Sequence, residues 1–158
     1  MKRLLRVFKW IAIVLLVLFI GIQFYRPART NPAIDPAQTI EAHTQMTPDV
    51  ASILDRSCRD CHSNKTVWPW YTQVAPVSWW LVSHVNDGRH DLNISEWGKL
   101  PRDRQERKLR QMCDEVEDGM MPLSSYLPMH PAAHLSDQDK KTLCDWTAQQ
   151  REQLNASR

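Results

Sequence analysis

The first 29 residues contain no acidic side chain, and residues 10–25 carry no charge of either sign. Such a run is not the surface of a water-soluble helix. With Leu4, Leu5, Val7 and Phe8 leading into it, it reaches the roughly 20 apolar residues that cross a bilayer. A small-x-small cleavage pattern is missing after it, where Gln23-Phe24-Tyr25-Arg26-Pro27 follows, so the sequence predicts a retained anchor over residues 1–25 and not a cleaved signal peptide. No segment alternates polar and apolar residues long enough to propose a strand, which excludes a sheet protein and predicts an all-α fold. Repeats, low-complexity tracts and any acid, base or nucleophile constellation are also missing, so an enzyme is not expected. The net charge of +2 conceals an asymmetry: residues 1–29 hold six Lys/Arg and no acid, whereas residues 30–158 hold 14 Lys/Arg and 18 Asp/Glu, net −4. Nucleic-acid binding is therefore not expected, and the imbalance is that of a membrane anchor.

Lys2, Arg3, Arg6 and Lys9 precede the apolar run, which by the positive-inside rule leaves the amino terminus in the cytoplasm. Trp10, Phe24 and Tyr25 put aromatics at the two interfaces. The expected location is the inner (cytoplasmic) membrane, single-pass, with the carboxy-terminal domain in the periplasm.

The most specific motif is Cys58-Arg59-Asp60-Cys61-His62. Two cysteines separated by two residues and followed by a histidine form the attachment signature for haem c. Each thiol adds across one porphyrin vinyl group, so one helical turn must present both sulfurs to a single edge, and His62 then supplies the proximal imidazole. A thioredoxin-like redox pair would need a βαβ context, and a zinc site a second ligand pair at close spacing. Cys113 and Cys144 stand too far apart to provide one.

Residues 26–47 read as a tether, broken by Pro27, Pro32 and Pro36 and poor in apolar side chains, with packing of part of it along the domain as the alternative. The domain proper, residues 48–158, reads as four helices. Thr47-Pro48-Asp49 opens the first, whose Val50, Ile53, Leu54 and Cys58 share a face. A second covers residues 78–87 and is closed by Gly88. The third, residues 103–118, buries Leu109, Met112, Cys113 and Val116 and stops at Gly119. Ser136 caps the fourth, with Leu143 and Trp146 inward. The run Lys99, Arg102, Arg104, Arg107, Lys108 and Arg110 reads as a solvated face with i,i+4 pairs such as Asp103–Arg107 and Glu106–Arg110. A docking surface for a partner is the alternative.

This layout resembles a class I cytochrome c, in which a first helix ends in the attachment signature and a Met-Pro pair follows a later helix. More specifically it resembles the haem-binding domain family of bacterial monohaem proteins. Cys-Arg-Asp-Cys-His-Ser-Asn at 58–64, Trp-Pro-Trp-Tyr at 68–71 and Ala-Pro-Val-Ser-Trp-Trp-Leu at 75–81 carry the likeness. It continues through His-Val-Asn-Asp-Gly-Arg at 84–89, Leu-Asn-Ile-Ser-Glu-Trp at 92–97, Met-Pro-Leu at 121–123 and His130-Pro131. The resemblance implies a covalent haem and an extracytoplasmic location, without assigning a reaction. It also offers Pro76, with Pro69 as competitor, as the carbonyl that receives the Nδ1 proton of His62.

Met121 is the expected distal ligand, because Pro122 stiffens its loop, a glycine-terminated helix precedes it, and its place matches the ligand loop of class I cytochromes. Met120, Met129 and His84 are the alternatives, as is an open sixth position; Met112 reads as core. Trp70 and Trp80, with Trp68, Tyr71 and Trp79, can wall the porphyrin. Arg89, or else Arg59, can pair with a propionate. Cys113 and Cys144 are expected to be bridged in an oxidising compartment, a buried free Cys113 being the alternative. The function expected is one-electron transfer between membrane or periplasmic redox partner proteins. The other readings are a haem-based sensor or small-ligand-binding module and a haem-carrying accessory subunit of a membrane complex.

Overall fold

The computed structural model describes residues 2–156, and among them it is all helical with no strand. α1 (Lys2–Ile22) is 21 residues long and has no buried residue. At 1.5 Å per residue it spans about 30 Å, the thickness of a bilayer's hydrocarbon core. It is long and apolar enough to cross a membrane.

The core is built where three helix faces meet. α3 (Pro48–Ser57) contributes Val50, Ile53 and Leu54, α6 (Arg102–Glu117) Leu109 and Val116, and α7 (Asp137–Ala156) Leu143 and Trp146. Ile40, from the single turn α2 (Ile40–His43), completes this core with Ile94 and Trp97 of a 3-10 segment at Ile94–Lys99. Local chemistry sets the helix ends as expected. The Thr47 side chain accepts the Val50 N–H at 3.3 Å, with Pro48 in the first turn. At the start of α7, the Asp139 N–H donates to Ser136 Oγ (3.1 Å) while the Ser136 N–H donates to Asp139 Oδ2 (2.9 Å), a reciprocal cap. α6 gives way to Gly119 at φ +70°, the left-handed position that glycine takes at low cost. Cys113 and Cys144 are bridged between α6 and α7, which pack together.

Two expectations need correction. Residues 26–47 are not a free tether. Arg29 donates to the Thr72 carbonyl (2.8 Å) and Asn31 to that of Thr66 (2.9 Å), Ile40 is fully buried, and the Trp146 indole donates to the Gln45 carbonyl (2.8 Å). The prolines forbid a long helix, but the segment's side chains donate to domain carbonyls, and domain side chains take its own carbonyls at Thr30 and Gln45. The second helix, α5 (Val77–Asp91), does not stop at Gly88 but runs through it. The Asp103–Arg107 pair forms at 2.9 Å, whereas Glu106 pairs with Arg151 of α7 at 2.8 Å.

Candidate cofactor site

α3 delivers the motif. Its last bond, Cys58 N–H to the Leu54 carbonyl (3.0 Å), ends the helix, and the chain restarts at once as α4 (Arg59–His62), where the His62 N–H reaches the Cys58 carbonyl (3.0 Å). The break turns the two thiols to different surroundings. Cys58 packs against the core, and Cys61 lines a cleft. Both are free. Burial, with the neighbouring Cys61, pushes the Cys58 thiol up to about 12; burial and the Asp60 carboxylate push Cys61 up to about 11. A disulfide-exchanging pair needs a lowered thiol pKa, so these cysteines lack the character of an activated dithiol.

His62 is held by its neighbours on α5. Its Nδ1 lies 3.0 Å from the carbonyls of both Gly88 and Leu92. An N–H shared between two acceptors assigns the proton to Nδ1. Nε2 is thereby the ring nitrogen left for a metal to take. The expected partner, Pro76, is otherwise engaged: its carbonyl accepts the N–H groups of Trp79 (3.1 Å) and Trp80 (3.3 Å) at the start of α5. Gly88 is mid-helix because nothing larger fits. A Cβ there would lie 2.8 Å from the Cys61 carbonyl oxygen and 3.1 Å from its Cβ.

A cleft lies beside Cys61. One wall is Leu81, His84 and Val85 of α5, with Trp80 beside them and the Trp80 and His84 rings edge-on at 4.2 Å. Trp68, Pro69 and Tyr71 form a second wall, and Leu123, Tyr126 and His130 a third. A hydrogen-bonded network ties the last two walls to the motif. Tyr126 donates to Asp60 Oδ2 (2.7 Å), His130 stacks on Tyr126 at 3.7 Å, and Tyr71 Oη meets His130 Nε2 at 3.2 Å. Burial, then the bond to Asp60, drives the Tyr126 hydroxyl far above its ordinary value, so it remains a donor.

Residues 17–149 match the family model of the haem-binding domain. The chain belongs to the haem-binding domain family. No curated protein and no solved structure matches it.

The residues present fit the haem that this family binds. The cleft is lined largely by apolar and aromatic side chains and by the free thiol of Cys61, while the second free thiol, Cys58, lies on the core side of the same motif and His62 directly follows Cys61. The buried Trp68 indole N–H, which lines the cleft, has no hydrogen-bond partner among the described residues. An orphaned buried donor is uncommon, and a porphyrin carboxylate is the kind of acceptor it lacks.

Other expected site residues are placed differently. Trp80 lines the cleft, but Trp70 lies outside it, 73% exposed, because the 3-10 turn at Trp70–Gln73 rotates it outward as it brings Tyr71 in. Arg89 is engaged by the chain itself. Its guanidinium donates to the carbonyls of Ser63 and Thr30 (2.8 Å each), to Asn31 (2.7 Å) and to Thr66 (2.8 Å), clamping residues 30–31 to the motif. Met121 packs against the hydrophobic core, as Cys58 does, while Leu123 two residues on faces the cleft. Met120 and Met129 are exposed. Sequence reasoning overlooked the Asp60–Tyr126–His130–Tyr71 network, because residues 121–131 have no periodicity that would signal which side chains turn inward.

Proposed function

We propose that this haem-binding domain protein is a membrane-anchored c-type cytochrome with a periplasmic domain that passes single electrons between redox partners, and that it is a carrier and not an enzyme. The observation that carries this reading is the pairing of two free thiols with an imidazole whose Nδ1 is locked onto the Gly88 and Leu92 carbonyls. Cys58 and Cys61 would each hold haem through a thioether, the thiol adding its sulfur and its hydrogen across one vinyl group with no external oxidant needed. Bound haem supplies an iron that cycles between ferric and ferrous states. His62 would ligate the iron and, with its Nδ1–H donated to the Gly88 and Leu92 carbonyls, would be a stronger donor than a free imidazole.

Met121 would supply the sixth ligand: its loop reaches the cleft at Leu123, and it packs against the core as Cys58 does. His84, which lines the cleft, is the alternative. Thioether ligation raises the potential and suits outer-sphere transfer.

The test is the absorption spectrum of purified protein, oxidised and reduced, with and without carbon monoxide. The expected wild type binds carbon monoxide poorly and shows the weak near-infrared band of Met–haem ligation. Met121→Ala should lose that band and admit carbon monoxide, while His84→Ala should keep the band. A Met121→Ala spectrum unchanged from wild type, or ready carbon monoxide binding by the wild type, contradicts the reading; the latter favours a sensor.

A further inference from the structure

Residues 66–83 contain no charged side chain and no histidine, in a chain where 24% of residues are charged, and hold four of its seven tryptophans. Part of this segment walls the cleft. Another part faces outward away from the cleft: Trp70 is 73% exposed and Val77 43%, with Val67 (71%) and Trp80 (45%) exposed on the cleft's own lining. A solvated surface does not normally concentrate large apolar side chains in this way.

The same segment is fastened to the outer end of α1. Gln23 pairs reciprocally with the backbone of Ala75, donating to its carbonyl (3.1 Å) and accepting its N–H (2.9 Å). The Trp79 indole donates to the Tyr25 carbonyl (2.8 Å), and the two rings meet edge-on at 5.6 Å. Arg29 donates to the Thr72 carbonyl (2.8 Å). Residues 23–25 directly follow α1 and so stand at headgroup level when α1 crosses a bilayer. Val77 is two residues from Ala75 and Trp80 one from Trp79. At 3.8 Å between successive Cα atoms, that is about the 5–8 Å depth of one headgroup layer.

We propose that residues 66–83 form a second membrane contact, seated in the lipid headgroup–acyl boundary of the leaflet from which α1 emerges. The proposal rests on the anchoring role of α1. The tryptophans suit that boundary because an indole presents an apolar body and a polar N–H. The absence of charge removes the desolvation cost of entering it. The contact sets the orientation of the domain, and places the cofactor cleft, with Trp80 on its wall, at the lipid surface.

The experiment uses the full-length haem-loaded protein in phosphatidylcholine–phosphatidylglycerol vesicles doped with a diazirine-bearing phospholipid, with illumination followed by peptide mass spectrometry. Lipid adducts are expected on α1 and on residues 66–83, and not on α6 or α7. Trp70→Glu/Val77→Glu should lose the adducts on 66–83 while keeping those on α1 and the haem spectrum. Adducts on α1 alone overturn the second contact and leave the anchor standing. The absence of adducts on α1 as well overturns both. Cross-links from 66–83 to a second copy of the chain in place of lipid assign the patch to a protein interface and also overturn the proposal. So does undiminished labelling of 66–83 in the double variant.

Discussion

The α6–α7 half of the domain and the cleft half are built by opposite means. α6 and α7 carry an abundance of charge and are joined by the Cys113–Cys144 bridge and the Glu106–Arg151 pair over Leu109, Val116, Leu143 and Trp146. The cleft half has an uncharged stretch from 66 to 83, an unpartnered indole and walls held by hydrogen bonds between side chains on loops. The first half satisfies itself, and the second is complete only around something else. The attachment thiols stand on the seam, Cys58 against the core and Cys61 in the cleft. A haem held by both thiols, as proposed, would be tied to the core-packed half at Cys58 while it occupied the cleft half.

If the halves divide the labour in this way, perturbing α6–α7 should change stability and leave the haem spectrum alone. The largest such effect is expected from Cys113→Ser/Cys144→Ser. Opening a loop with a sequence separation of 31 residues should lower unfolding free energy by about 3–4 kcal/mol in the chain-entropy model. Denaturant titration checks this, and a shifted visible spectrum in the folded variant would show that the halves are coupled.

Gly88→Ala strikes the seam. Its new Cβ would meet the Cys61 carbonyl oxygen at 2.8 Å, and backbone yields less easily than a side-chain tip. A loss of about 1–3 kcal/mol is expected, accompanied by a changed haem spectrum, because the carbonyls that orient His62 move with α5. Stability loss without a spectral change would detach Gly88 from the site.

The smallest effect belongs to the start of α7. Ser136→Ala should cost about 1 kcal/mol at neutral pH with no spectral change. The Ser136 hydroxyl and backbone N–H, then Arg56, hold the Asp139 carboxyl below its ordinary value. A carboxylate whose pKa is depressed on folding stabilises above its unfolded value, about 3.9, and loses that contribution as pH falls through the folded value. The gap between wild type and Ser136→Ala should therefore narrow below about pH 4. A pH-independent gap would mean that the hydroxyl acts on the backbone alone.

What could be read in the sequence was what is decided locally. Thr47, Gly119 and Ser136 mark helix ends through bonds to residues within a turn or two, and Cys58 to His62 is a chemical unit in five residues. What could not be read was decided by distant partners. Gly88 has the look of a helix stop, yet its role is set by Cys61, 27 positions earlier. Arg89 has the look of a propionate ligand, but residues 30–31 and the motif itself occupy its donors. The prolines of 26–47 correctly rule out a long helix without revealing that the segment exchanges hydrogen bonds with the domain in both directions. Trp70 and Tyr71 are adjacent and both aromatic, and only the 3-10 turn sends one outward and the other into the cleft.

The central claim is that Cys58 and Cys61 hold haem covalently, and acid–acetone extraction of the denatured protein tests it most directly. Haem should remain with the wild-type polypeptide and be absent from or extractable from Cys58→Ala/Cys61→Ala. Haem that leaves the wild-type chain into the acetone would contradict the account.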